Sequence, residues 1–174
     1  MTKRCLAVAL TGVFGAMALF AASKTVDLKN AQGQSVGTAT ISETKGGKGG
    51  VTIKLEVKNL PPGEHAFHIH QTAKCEAPGF TTAGGHFNPE SSHHGINNPE
   101  TPHPHAGDMN NFTVKGNGTA KVTFTDMFVN MGTDNHSIFS NGGTALVIHA
   151  KADDLKSDPS GNAGDRIACG EITK

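Results

Sequence analysis

The sequence predicts an all-β domain, and three observations support this prediction. Apolar and polar residues alternate over residues 51–58, glycine accounts for 22 of the 174 residues, and no segment shows sustained helical periodicity. Alternation with a period of two gives a strand one apolar face, whereas frequent glycine favours many turns over long helices. A chain of this length is expected to form one domain around one core.

Eight strands are predicted, most of them separated by turns that contain glycine. The clearest strand covers residues 51–58, and a turn at Gly46–Gly50 precedes it. The others cover residues 25–28, 37–44, 64–70, 112–115, 119–124, 145–150 and 166–172. Residues 71–111 break the pattern, because they are rich in histidine, proline, glycine and asparagine. A stretch of this length without strands is commonly functional, and a metal together with a disulfide would hold it in place.

The N-terminus differs from the rest of the chain. Lys3 and Arg4 precede a long uncharged run, and small residues follow it up to Ser23. This order predicts a signal peptide over residues 1–23, a mature domain over residues 24–174, and export to the periplasm or the extracellular space. A retained membrane anchor is the alternative, but the run is short for a stable span, so we expect none in the mature form. No basic stripe is present, which argues against nucleic-acid binding.

The mature chain would contain two cysteines, Cys75 and Cys169. In an oxidising compartment, an even number of cysteines indicates a disulfide. Two buried thiols and two metal ligands are the alternatives that remain open at this point.

Ten histidines are present, and eight of them fall between residues 65 and 105. His68 and His70 are two residues apart on a predicted strand, where side chains at i and i+2 point to the same face. Such a strand can present two imidazoles to a metal while Ile69, between them, points into the core. A histidine-rich tract that binds metals loosely is the alternative.

Further candidate ligands lie in the region without strands and at the end of a later strand. Three imidazoles and a carboxylate suit a tetrahedral zinc site, and this set is available from His86, His94, His105 and Asp108. His149 ends an apolar strand, so it is either a core residue or a ligand that the fold brings in. A solvated side chain is the default interpretation for the loop histidines His93, His103 and His136.

With these residues assembled, the sequence strongly resembles the copper/zinc superoxide dismutase family. The matching segments occur in family order between residues 63 and 170. They are residues 63–70, 83–89, 94–95, 105–108, 147–149, 152–155 and 161–170. The resemblance implies a Greek-key β-barrel or sandwich of eight strands, with long metal-binding loops.

The resemblance also implies a copper ion, a zinc ion and the residues that bind them. The copper ligands are His68, His70, His86 and His149, and the zinc ligands are His86, His94, His105 and Asp108. His86 is expected to bridge the two metals, and the carboxylate of Asp153 to hydrogen-bond His68 and His94. Cys75 and Cys169 match the disulfide of the family, and His65 matches a structural histidine.

The implied enzyme is a superoxide dismutase, an oxidoreductase that protects against oxidants. It converts superoxide to dioxygen and hydrogen peroxide by copper redox cycling, with zinc in a structural role. The substrate is an anion that is expected to dock at Arg166, while His86 takes up a proton in the reduced half of the cycle.

Some features depart from the pattern of many relatives. Residues 156–160 form a shorter loop than the charged loop found there in many relatives, so Lys151 and Lys156 are the substitute candidates for attracting the anion. The gap between His94 and His105 is slightly longer than in many relatives, which leaves His103 as an alternative to His105. The His-x-x-Asp pattern favours His105. His94 is preferred to His93 because a glycine follows it.

Two other functions compete with catalysis. One is a non-catalytic dismutase-like domain for copper delivery or zinc storage, and the other is a purely structural sandwich. His149 and Arg166 argue against both, because neither function needs an open, cationic copper face. The sequence leaves the choice between a monomer and a homodimer open.

Overall fold

The computed structural model of the protein describes residues 23–45 and 49–174, and nearly all of its regular structure is β. The strands of these residues are β1 (Ser23–Lys29), β2 (Ser35–Glu43), β3 (Val51–Val57), β4 (Gly63–His65), β5 (Phe67–His70), β6 (Phe112–Val114), β7 (Ala120–Asp126), β8 (Thr144–His149) and β9 (Arg166–Ile172). Two 3-10 helices, Thr81–Ala83 and Ser140–Gly142, are also present. No helix in the described residues is long and apolar enough to span a membrane. The predicted signal peptide lies outside these residues, except for Ser23.

The eight predicted strands are present, and one of them is divided in two. The predicted strand over residues 64–70 changes partner at Ala66, because β4 pairs with β6 and β5 pairs with β8. Ala66 itself donates its N–H to the carbonyl of Lys151 at 2.8 Å and accepts the N–H of His149 at 3.0 Å. The segment therefore remains extended while it belongs to two sheets, which accounts for nine strands where eight were expected.

Seven strands form one antiparallel sheet in the order β5-β8-β9-β1-β2-β3-β7. The predicted alternation is confirmed on β3, where Ile53 and Leu55 are fully buried and Lys54 is exposed. Ile53 lies opposite Ile41 on β2 and Phe124 on β7, so neighbouring strands bury the same face.

Aromatic contacts show that this sheet is curled. Phe67 on β5 and Phe124 on β7 belong to the two end strands of the sheet, yet their ring centroids are 5.2 Å apart. Phe112 on β6 lies 6.2 Å from Phe67 and 6.4 Å from Phe124, between the two ends. The sheet therefore encloses its core, as expected for the barrel-like architecture.

The region without predicted strands lies along the free edge of β5. The N–H of Ile69 donates to the carbonyl of Gly107 at 2.9 Å, and the N–H of Phe87 donates to the carbonyl of Ile69 at 2.8 Å. A Cβ atom at Gly107 would lie 2.2 Å from the carbonyl oxygen of Ile69, so this close approach requires glycine. These contacts bring His86 and Asp108 beside the histidines of β5.

The predicted disulfide is confirmed. Cys75 and Cys169 are bonded, with their Cα atoms 5.7 Å apart. The N–H of Cys75 also donates to the carboxylate of Glu171 at 2.8 Å. The start of the metal-binding region is therefore attached to β9 by a covalent bond and a hydrogen bond.

A buried acid, Asp126, lies at the end of β7. Asp126 is 4% exposed, and its Oδ1 accepts the N–H of Phe128 at 2.8 Å. Its Oδ2 is buried without a hydrogen-bond partner. Burial raises the pKa of Asp126 to about 7, and the nearby charge of Asp108 contributes to the increase.

Asp126→Asn is expected to stabilise the protein above pH ~7. The folded wild type retains a proton that an unfolded Asp with a pKa of about 3.9 has released, so its stability decreases as the pH rises from about 4 to about 7. Each unit of pKa difference corresponds to about 1.4 kcal/mol, so a gain of about 2–4 kcal/mol is expected near pH 8. Urea unfolding between pH 4 and pH 8 measures this difference in unfolding free energy, with a substitution of an exposed residue, Asp165→Asn, as the control. Parallel pH profiles for wild type and Asp126→Asn would contradict the prediction.

Candidate metal centre

Four histidines from three parts of the fold meet at one end of the sheet. β5 provides His68 and His70, β8 provides His149, and the region laid along β5 provides His86. All four are buried, and each offers a ring nitrogen within 4.8 Å of the others. We call this set the copper cluster. The Nε2 atoms of His70 and His149 in this cluster are 3.3 Å apart.

Hydrogen bonds on the outer side set the tautomers of three of these rings. The acceptors are Asp153 Oδ2 for His68 Nε2, Gly84 O for His70 Nδ1 and Gly164 O for His149 Nδ1, at 2.8, 2.9 and 3.2 Å. An oxygen that only accepts requires the proton on the nitrogen facing it, so the other nitrogen of the ring has a free lone pair. The lone pairs of these three rings therefore point into the copper cluster.

A second set of four ligands lies next to the first. His86, His94, His105 and Asp108 are all buried and offer ligand atoms within 4.8 Å of one another. We call this set the zinc cluster. Asp108 lies 2.8 Å from His86 Nδ1, 3.0 Å from His94 Nδ1 and 3.5 Å from His105 Nδ1. Three imidazoles and one carboxylate match the donor set that tetrahedral zinc prefers.

Three buried ring nitrogens have no hydrogen-bond partner, and all three face these clusters. They are Nδ1 of His68, Nε2 of His86 and Nδ1 of His94, the last of which lies 3.0 Å from Asp108 but is not aligned for a hydrogen bond. A buried polar atom without a partner is costly, so such atoms are normally paired with protein, water or an ion. Two metal ions would satisfy all three, and His86 would offer one nitrogen to each cluster.

Asp153 connects the two clusters from behind. Its Oδ2 lies 2.8 Å from His68 Nε2, and its Oδ1 lies 3.1 Å from His94 Nε2. Burial raises the pKa of Asp153, but the hydrogen bonds from the two histidines outweigh it and hold the pKa below its usual range. The carboxylate is therefore ionised and fixes the orientation of one ring in each cluster.

Three histidines of the copper cluster, His70, His86 and His149, are poised to bind metal at neutral pH. Burial lowers the pKa of His70 strongly, that of His86 to about 4 and that of His149 to about 3. Burial also acts to lower the pKa of His94, but the adjacent carboxylates of Asp108 and Asp153 raise it to about 9. Metal binding at His94 must therefore release a proton.

Arg166 lies beside the copper cluster, because it pairs with His149 across β8 and β9. Its guanidinium donates to the carbonyl of Phe80 at 2.7 Å and to that of Gly84 at 2.6 Å. The Gly84 carbonyl is also the acceptor for His70 Nδ1, so one peptide group contacts both the arginine and a copper-cluster histidine. Burial lowers the pKa of Arg166, which nevertheless remains a cation.

The remaining candidate histidines take other positions. His93 lies 2.5 Å from the carboxylate of Asp158, and the ring centroid of His103 lies 5.8 Å from that of Phe128. The structure therefore brings His94 and His105 into the zinc cluster and leaves their sequence neighbours outside. His65 is buried, with Nδ1 2.8 Å from the carbonyl of His149 and Nε2 2.8 Å from that of Pro61.

Sequence reasoning missed two contacts around the site. Asn111 exchanges two hydrogen bonds of 2.8 Å with the backbone N–H and carbonyl of Asp153. His136, expected to be a solvated side chain, lies 2.7 Å from the carbonyl of Phe128 and 2.7 Å from the carboxylate of Glu90. Neither residue lies in a motif that could have indicated these partners.

Comparison with known proteins gives consistent matches. The family model described as copper/zinc superoxide dismutase (SODC) matches residues 35–172. Superoxide dismutase (Cu-Zn) 2 of Aquifex aeolicus (strain VF5) is 48% identical over 172 residues, which cover 94% of this chain and 98% of that protein. Superoxide dismutase (Cu-Zn) 1 of the same organism is 50% identical over 149 residues, covering 84% of this chain and 85% of that protein.

Solved structures resemble this one as well. The crystal structure of a SOD-like protein from Bacillus subtilis has a TM-score of 0.79 at 37% identity, covering 85% of this chain and 97% of that chain. The Cu/Zn superoxide dismutase of Brucella abortus has a TM-score of 0.67 at 30% identity, covering 87% of this chain and 99% of that chain. The fold, the two adjacent clusters and these similarities agree, and the chain belongs to the copper/zinc superoxide dismutase family.

Proposed function

We propose that the protein converts superoxide to dioxygen and hydrogen peroxide at a copper ion in the copper cluster, with zinc in the zinc cluster. The observation that carries this assignment is the set of three buried, unpartnered ring nitrogens inside two ligand clusters that share His86. When bound, copper supplies a one-electron change of oxidation state, which zinc does not undergo. The expected biological role is defence against oxidants.

The protein holds the copper ligands in a fixed geometry. His68 Nδ1, His70 Nε2 and His149 Nε2 are the ligand atoms, because the opposite nitrogen of each ring is hydrogen-bonded to an oxygen. His68 and His70 are fixed further by their place on β5, which is paired with β8. This rigidity keeps the site ready for either oxidation state without a large rearrangement.

His86 has a separate function, because its two nitrogens serve different clusters. Nδ1 faces Asp108 in the zinc cluster, whereas Nε2 is buried toward the copper cluster. We assign Nε2 as the atom that holds a proton when it is not bonded to metal. No protein group accepts a hydrogen bond from Nε2 in the described residues, so a proton held there would be free to pass to a reduced oxygen species at the copper cluster. The zinc cluster keeps the ring in place during this step.

Arg166 is assigned as the docking residue for the anion. Its guanidinium has five N–H donors, and the two hydrogen bonds to Phe80 and Gly84 leave others free. The carbonyls hold the positive charge close to His70 and His149, whose pKa values its charge helps to lower. A small anion that approaches the copper cluster would therefore meet a fixed cation.

Metal analysis tests this function directly. The mature protein should bind one copper and one zinc ion per chain and should catalyse superoxide dismutation after loading with both metals. His149→Ala should lose copper but retain zinc, because His149 belongs only to the copper cluster. His105→Ala should lose zinc but retain copper, because His105 belongs only to the zinc cluster. Uptake of a single zinc ion without copper would overturn the assignment and favour zinc storage.

We also infer that the protein is exported and that residues 1–23 are removed. The disulfide supports an oxidising compartment, and the short apolar run followed by small residues supports cleavage. The intact mass of the secreted or periplasmic protein tests this inference, with a mature N-terminus near residue 24 as the expected result. Full-length protein retained in the membrane fraction would contradict it.

A further inference from the structure

A compact loop, residues 153–162, covers the zinc cluster. The N–H of Asp154 donates to the carbonyl of Gly161 at 2.8 Å, so the two ends of the loop are joined. The carboxylate of Asp154 also accepts the N–H groups of Lys156 and Ser157 at 2.9 and 2.8 Å. We call this segment the Asp158 loop, after the residue at its tip.

The tip of the Asp158 loop contacts the backbone of a zinc-cluster histidine. Oδ1 of Asp158 accepts the N–H of His94 at 2.5 Å, and Oδ2 lies 2.5 Å from His93 Nδ1. The N–H of Asn97 donates to the carbonyl of Leu155 at 3.0 Å, which adds a second point of attachment. The loop and the segment around His94 are therefore held together by side-chain and backbone hydrogen bonds.

The Asp158 loop separates His94 from solvent. The side chain of His94 is fully buried, whereas the side chains of Asp158 and His93 are 42% and 59% exposed. A Cβ atom at Gly95 would lie 2.4 Å from the carbonyl oxygen of Leu155, so the loop rests directly on the backbone that follows His94. Water or a competing ligand can reach His94 from this side only if the loop moves away.

We propose that Asp158 is a positioning residue that fastens this loop over His94 and thereby slows the release of zinc. The proposal rests on the proposed zinc site. Opening the loop would exchange the hydrogen bond between the His94 N–H and an ionised carboxylate for a bond to water, which makes opening unfavourable. Asp158 is an exposed carboxylate that binds no metal in this assignment, so its effect on zinc would act through the segment of His93 and His94 that it contacts.

The experiment measures zinc transfer from the copper- and zinc-loaded protein to a chromogenic chelator at neutral pH. Asp158→Ala is expected to release zinc about tenfold faster, because the variant loses roughly one hydrogen bond to an ionised acceptor. Asp158→Asn keeps an oxygen that can accept the His94 N–H, so its rate should lie close to that of wild type. His93→Ala removes only the side-chain partner and should also stay close to wild type, as should the exposed control Asp165→Ala.

Amide hydrogen exchange provides a second readout that does not depend on activity. The His94 amide should be protected in wild type and in Asp158→Asn, and it should exchange faster in Asp158→Ala. Wild-type zinc release and wild-type His94 protection in Asp158→Ala would overturn the proposal while leaving the zinc site intact. A wild-type protein that binds no zinc would instead overturn the zinc site and, with it, this proposal.

Discussion

Replacing Arg166 with glutamate is expected to slow the reaction with superoxide by about a hundredfold or more while copper and zinc stay bound. Arg166 belongs to neither cluster, so the ligand atoms remain in place. The change reverses the charge that an incoming anion meets beside His70 and His149. Local fields of this kind change association rates by about 10- to 1,000-fold.

The second-order rate constant, measured by pulse radiolysis over a range of salt concentrations, tests this expectation. Wild type should slow as ionic strength rises, because salt at about 0.1 M screens exposed charges beyond about 10 Å. The dependence should flatten or reverse in Arg166→Glu. Metal content measured in parallel separates a loss of attraction from a loss of copper.

Two further substitutions separate the charge of Arg166 from its contacts. Arg166→Lys keeps the charge but cannot reproduce the paired hydrogen bonds to Phe80 and Gly84, whereas Arg166→Gln removes the charge. We expect the rates to fall in the order wild type, Lys, Gln, Glu. If Arg166→Glu reacted at the wild-type rate with the wild-type salt dependence, the docking role would pass to Lys151 or Lys156.

Gly161→Ala is expected to weaken binding of both metals by about 10- to 100-fold, the usual cost of disturbing a residue that orients metal ligands. Gly161 has a φ of +62°, and a Cβ atom there would lie 1.6 Å from Asp153 Oδ1 and 2.8 Å from His94 Nε2. The carboxylate of Asp153 would have to leave its position. His68 and His94, one from each cluster, would then lose their common acceptor.

Gly33→Ala is the matched control for this substitution. Gly33 has a φ of +75°, but a Cβ atom there would meet nothing within 4 Å. Gly33→Ala therefore introduces similar backbone strain in the turn between β1 and β2 without contacting the metal clusters. Competition titrations with a chelator for copper and for zinc, together with thermal unfolding, compare the two variants. Equal metal affinities in Gly161→Ala and Gly33→Ala would show that Gly161 is not needed to keep the Asp153 carboxylate in position.

The sequence predicted the strands well because most of them bury one face. On β3 the apolar residues recur with a period of two, and that period follows from the geometry of a strand alone. The pairing of His68 and His70 was predictable for the same reason. Donor chemistry alone suggested a zinc site in the loop that carries His86, His94, His105 and Asp108. The choice of His94 and His105 over His93 and His103 depended on family resemblance, since spacing in a loop carries no fixed geometry.

Contacts that depend on the path of a loop could not be predicted. Asp158 and Asn111 act through hydrogen bonds to the backbone of distant segments, and such bonds have no periodicity in the sequence. The division of the strand at Ala66 also depends on which neighbours the fold supplies on each side. These features are determined by tertiary structure rather than by local preference.

The sharing of His86 and Asp153 makes the two metal clusters a single thermodynamic unit. The metal that binds first orients His86 and Asp153, so the second metal meets ligands that are already in place. The gain in affinity is the same in either order, because coupling between two binding equilibria is reciprocal. Cooperative loading is therefore built into the arrangement of ligands. A cell that supplies either metal first would favour retention of the other, so the doubly loaded form should prevail over singly loaded ones when both metals are scarce.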